Sequence, residues 1–286
     1  MNRTSVANEH SSVKELIAVT LGVAASDGAG VKLTRIIGAG EVDMLDPFLM
    51  LDCFESDNPN DYQAGFPTHP HRGFETVTYL LEGRMRHRDN QGNEGVIAPG
   101  GVQWMTAGRG ITHSEMPEQQ DGLLKGFQLW INLPASDKMT APAYQEFPAE
   151  QVALEQHDDG TVIKVISGVT DRGTSGPVQN HYTDPTYLDV SLKAGATFTQ
   201  SITFGHNSFV YVIEGELQAA GRSLSAKQLG IFGAGEKIEL LCNLDSRLLL
   251  IAAKPLNEPV VRHGPFVMNS QAQIIQAVED YHSGKF

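Results

Sequence analysis

Residues 66–75 read Phe66-Pro67-Thr68-His69-Pro70-His71-Arg72-Gly73-Phe74-Glu75, and a second run, Ile111-Thr112-His113-Ser114-Glu115, follows later in the chain. Side chains two apart on a β-strand share a face, so His69 looks the same way as His71, and His113 the same way as Glu115. If the two segments become neighbours inside a β-barrel, three imidazoles and one carboxylate converge, a donor set suited to a divalent transition metal. A His-x-His pair by itself is a weak signal. Its surroundings strengthen it: Glu75 stands four residues after His71, Gly83 closes the next strand, and the turn Pro99-Gly100-Gly101 precedes the second pair.

This order is similar to the ligand layout of the cupin barrel. Longer runs carry a closer resemblance: Asp46 to Asp52 (DPFLMLD), Phe66 to Gly83 (FPTHPHRGFETVTYLLEG), Gly101 to Glu115 (GVQWMTAGRGITHSE) and Gly264 to Asn269 (GPFVMN). They resemble the pirin family of bicupins, and the similarity extends from about Gly28 to the C-terminus. The resemblance implies an all-β fold of two cupin jelly-roll barrels in tandem. It maps the metal ligands of the first barrel onto His69, His71, His113 and Glu115. In the wider cupin superfamily the glutamate ligand is the one after His-x-His, which makes Glu75 the alternative.

Composition bounds the remainder. A chain of 286 residues with 41% hydrophobic content can bury the core of one large or two ordinary domains. Short apolar runs separated by turn residues give it an all-β texture. No run is long enough for a membrane helix, and the polar residues 1–13 carry no secretory signal, so a cytoplasmic protein with a disordered N-terminus is expected. The two cysteines, Cys53 and Cys242, sit in apolar segments and read as reduced, buried fillers. A formal net charge of −13 with 21 Lys and Arg residues disfavours direct nucleic-acid binding and leaves protein partners open. In the basic run Arg84-Met85-Arg86-His87-Arg88, alternation puts the three arginines on one solvated face. Gly28-Ala29-Gly30 lacks the third glycine of a dinucleotide loop and precedes a strand, so it reads as a turn.

The pattern predicts a first barrel over residues 14–133, a linker over the proline-rich and acidic residues 134–160, and a second barrel with a closing helix over 161–286. The second half repeats the first. Phe209 to Gly215 aligns with Val77 to Gly83, and Gly230 to Gly235 answers Gly95 to Gly100. The same offset places Ser201 and Thr203 where His69 and His71 stand, and Asn207 where Glu75 stands, so the second barrel is expected to hold no metal. His206 alone remains there and reads as a surface or hydrogen-bonded residue. After Pro265, Ser270 with Gln273 forms a capping box, and Ile274, Ile275, Val278 and Tyr281 recur at helical spacing.

Two classes of function follow. The resemblance implies a dioxygenase acting on a flavonol, of the quercetin 2,3-dioxygenase type, with Fe(II) as the usual metal; the donor set also accommodates Mn, Ni, Co, Cu or Zn. Glu115 is the candidate base for the flavonol 3-hydroxyl, and Phe66, Phe74, Trp104 and Met105 are candidates for an apolar mouth around a small aromatic substrate. The other class is a metal- or redox-sensing regulator that acts through a protein partner. A pocket of flavonoid size above the ligands favours the enzyme.

Overall fold

The computed structural model describes residues 12–286. Most of the N-terminal stretch read as disordered therefore lies outside the described residues. Its end does not fit that reading: Val13 forms a parallel bridge with Lys237, and the Ser12 carbonyl accepts from the Glu236 amide at 2.8 Å.

The chain is nearly all β, with one α-helix, Gln271–His282. Each half builds a seven-stranded sheet and a four-stranded sheet, the two walls of a cupin-type barrel. In the first half Phe66–His71, Ile111–Pro117, Met85–Asp89 and Glu94–Ile97 make the small sheet, and Phe74–Glu82, Leu124–Asn132 and Phe48–Ser56 lie in the large one.

The large sheets of the two halves pack back to back. Val77, Tyr79 and Leu81 of the first half join Phe209, Tyr211 and Ile213 of the second in one core. These are the positions that the repeat aligns. The alternate residues turn into the barrels, and with both faces covered the strands read as unbroken apolar runs.

The barrels are not built from consecutive blocks of sequence. Leu16–Leu21 pairs with Gln228–Phe232 in the large sheet of the second half, with Thr20 opposite Leu229. Ala143–Phe147, inside the expected linker, pairs with Val102–Thr106 in the first half, with Gln145 opposite Trp104. The first of these strands therefore crosses over to the second half, and the second extends the first half into the expected linker. The segment 134–160 looked like a linker because an edge strand is held by backbone hydrogen bonds and needs few apolar side chains.

The C-terminal segment also departs from expectation, because it docks on the first half. Val261–His263 and Phe266–Met268 form a hairpin in which Val267 N donates to Arg72 O at 3.0 Å and Arg72 N donates to Pro265 O at 3.2 Å. The helix is capped by Ser270, whose hydroxyl accepts from Gln273 N. Ile274 and Ala277 bury against Phe266 and Met268, whereas Ile275, counted in the apolar stripe, is exposed. No helix among the described residues is long and apolar enough to cross a membrane.

Candidate metal centre and its cavity

Adjacent strands of the small sheet bring the two histidine segments together, with His69 directly opposite His113 and His71 opposite Ile111. One ring nitrogen from each of His69, His71 and His113 falls within 4.8 Å of the others. His69 Nδ1 donates to the Pro67 carbonyl at 2.8 Å, and its Nε2 lies 3.0 Å from His71 Nε2. Two nitrogens bound at right angles to one ion, each at about 2.1 Å, are themselves about 3.0 Å apart. Buried His71 Nδ1 and His113 Nε2 have no hydrogen-bond partner. Burial, and then the neighbouring imidazoles, hold both rings well below the ordinary histidine pKa. They are neutral at physiological pH, as metal ligands must be. The three imidazoles therefore fit a divalent metal.

Glu115 shares the inward face with His113 but stands outside the three-imidazole group. A register shift between His113 and Glu115 sets it opposite Phe66. Its carboxylate accepts from Thr78 Oγ1 at 2.7 Å, and Gln128 Nε2 approaches the other oxygen at 3.4 Å. It lines the same cavity as His69 and His71.

Glu75, the alternative ligand, points elsewhere. The corner at Arg72-Gly73 carries the chain from the small sheet to the large one, so the alternation that seemed to align Glu75 with the histidines does not cross it. Glu75 faces the other barrel beside Val77 and Tyr79, bonded to Thr106 Oγ1 at 2.7 Å and to Asn180 Nδ2 at 2.5 Å. Burial pushes its carboxyl up to about 7.

A cavity of about 650 Å³ opens beside His69, His71 and Glu115, walled by Leu49, Met50, Phe54, Phe66, Met85 and Trp130. Of the four apolar candidates, Phe66 lines this cavity; Phe74 lies behind it, its ring 5.0 Å from that of His71 and 4.4 Å from that of Trp130, Trp104 lies in the core between the barrels, and Met105 packs with Ala107 and Ile111. Sequence reasoning missed Trp130, whose ring sits 5.1 Å from that of His71, and Gln128 two residues before it. The signal was present in GFQLWINL, where Phe127, Leu129 and Ile131 take one face and Gln128 and Trp130 the other.

His87 was also missed. The arginines of its strand do face outward, where Arg86 and Arg88 pair with Glu94. Alternation therefore turns His87 inward, with Nδ1 3.4 Å from His113 Nδ1 and its ring stacked on Tyr144 of the strand Ala143–Phe147. Cys53 and Cys242 are free and buried, and burial pushes the Cys53 thiol up to about 12, so it stays protonated.

Two cupin-type barrels, one of them carrying three convergent imidazoles beside a partly open cavity, define a bicupin whose first barrel could hold a metal ion. The chain belongs to the pirin family: residues 30–131 match the pirin family model and 187–286 the pirin C-terminal cupin domain. It is 50% identical over 274 residues to a pirin-like protein of Caulobacter vibrioides, covering 96% of this chain and 99% of that one. Human pirin is 43% identical, covering 91% of this chain and 89% of its own. A crystal structure of quercetin 2,3-dioxygenase from Acinetobacter baumannii superposes with a TM-score of 0.88 at 32% identity, covering 96% and 99% of the two chains.

Proposed function

We propose that this chain is a metal-dependent dioxygenase that cleaves a flavonol such as quercetin, with Fe(II) held by His69, His71 and His113 and with Glu115 beside them. The observation that carries this reading is the cavity of about 650 Å³ next to three convergent imidazoles. That volume lies within the roughly 300–1,000 Å³ of small-molecule sites. Its apolar wall of Met50, Phe54, Phe66 and Trp130 suits a flat aromatic ring system. The likeness to the quercetin 2,3-dioxygenase structure supports the same substrate class.

A bound redox metal would supply the open positions and electron transfer that dioxygen chemistry requires. The chain's own residues do the rest. Trp130 and Phe66 position the flavonol and exclude water. Glu115 accepts the proton of the 3-hydroxyl, and Thr78 and Gln128 hold its carboxylate in place for that transfer.

Anaerobic incubation of Fe(II)-loaded protein with quercetin, followed by admission of oxygen, tests the assignment. Release of carbon monoxide with loss of the flavonol absorption band is the expected result. Absence of turnover with iron, manganese, nickel, cobalt and copper alike would overturn it in favour of a metal-sensing regulator.

A further inference from the structure

The corner Arg72-Gly73 begins one peptide bond beyond His71 and takes no part in the proposed chemistry. We propose that the C-terminal hairpin and helix form a latch that positions His71 through Arg72 and Gly73, so that docking of the latch and metal occupancy stabilise each other. This rests on the metal reading of the three histidines and not on any substrate.

Contacts from residues far along the chain converge on this corner. The buried Arg72 guanidinium donates through Nη1 to Asp280 Oδ2 of the helix at 2.9 Å and through Nε to Arg109 O at 2.5 Å. The same guanidinium lies 4.4 Å above the ring of Phe286. The Arg72 backbone is hydrogen-bonded on both sides, to Pro265 O and from Val267 N. Lys138 Nζ ties the Gly73 carbonyl, at 2.7 Å, to the Val267 carbonyl, at 3.0 Å.

Gly73 itself permits the close approach: its φ is +88°, and a Cβ there would lie 2.0 Å from Val267 O. The Pro265 carbonyl lies beside the His71 ring, without reaching hydrogen-bond geometry at Nδ1. None of these residues belongs to the large core between the barrels. Their contacts fix where one corner of the small sheet sits, and that corner carries a ligand. Groups that hold a metal-bound histidine in place typically change metal affinity about 10- to 100-fold when removed. Linkage then requires the converse, that a bound metal holds the latch closed.

The test uses the full chain with cobalt(II) as probe, followed by its visible absorption. Asp280→Asn and Arg72→Lys, which lose the charge pair and the planar fork respectively, are expected to bind cobalt about 10- to 100-fold more weakly, with an altered absorption band. In the unaltered protein, cobalt is expected to slow amide exchange across residues 260–286. Variants that bind as tightly as the parent overturn the latch. So does exchange that cobalt leaves unchanged, a measurement that holds even if a variant fails to fold. A parent that binds no cobalt overturns the metal reading itself.

Discussion

Thr78 donates its hydroxyl to Glu115 Oε1 at 2.7 Å, and the bond spans the barrel: Thr78 belongs to the large sheet and Glu115 to the small one. The carboxylate is thereby fixed at the cavity wall beside the imidazoles. Glu115→Gln keeps size and one oxygen but removes the basicity. Turnover per bound metal is expected to fall by about a hundredfold or more, as for a missing general base, while metal binding is weakened and not lost. An unchanged rate per metal would eliminate the acid-base role.

His69→Ala, His71→Ala and His113→Ala should each remove most of the bound metal and leave the fold in place, because apolar burial between and within the barrels carries stability. Circular dichroism with elemental analysis checks both halves of this expectation. About one metal per chain is expected, since Ser201 and Thr203 stand where His69 and His71 do in the first half and His69, His71 and His113 are the one donor group found among the described residues. Two metals per chain would refute the degenerate repeat.

The chain holds two tryptophans, and they occupy different environments. Trp130 lines the cavity, whereas Trp104 lies between the barrels. Quercetin binding to anaerobic protein should quench Trp130 fluorescence, and Trp130→Phe should abolish most of that response. Trp104→Phe should preserve it. Equal quenching in the parent and in Trp130→Phe would place the ligand elsewhere.

Glu75 gives a pH dependence of stability. Its carboxyl is raised by burial from 4.5 to about 7, so the folded protein holds this proton more tightly than the unfolded chain does. The stabilising contribution is complete below pH 4.5 and is lost as pH rises through about 7, a change of roughly 3 kcal/mol. Glu75→Gln removes that slope. Urea unfolding at pH 5 and pH 8 should therefore show the variant gaining on the parent at the higher pH, and parallel behaviour of the two would dismiss the effect.

Much of this molecule was legible in the sequence. The all-β texture, the repeat that aligns Tyr79 with Tyr211 and the capped C-terminal helix follow from local periodicity and turn chemistry, and the meeting of the two histidine segments was implied by the resemblance to the cupin layout. Local rules suffice there because side-chain alternation and capping depend only on neighbours a few residues away. They failed wherever a distant segment decided the outcome. Whether Glu75 or Glu115 reaches the cavity depends on the corner at Arg72-Gly73, which moves the chain from one sheet to the other and breaks the alternation between His71 and Glu75. The crossing of Leu16–Leu21 to the second barrel and the addition of Ala143–Phe147 to the first are matters of edge pairing, made by backbone groups that every residue possesses and no sequence pattern marks. The cavity likewise exists only once Phe66, Met50, Trp130 and Pro265, from four separate stretches, are brought around His71. Chemistry at each position was written in the chain; which positions meet was decided by tertiary packing, because only there are burial and long-range pairing satisfied together.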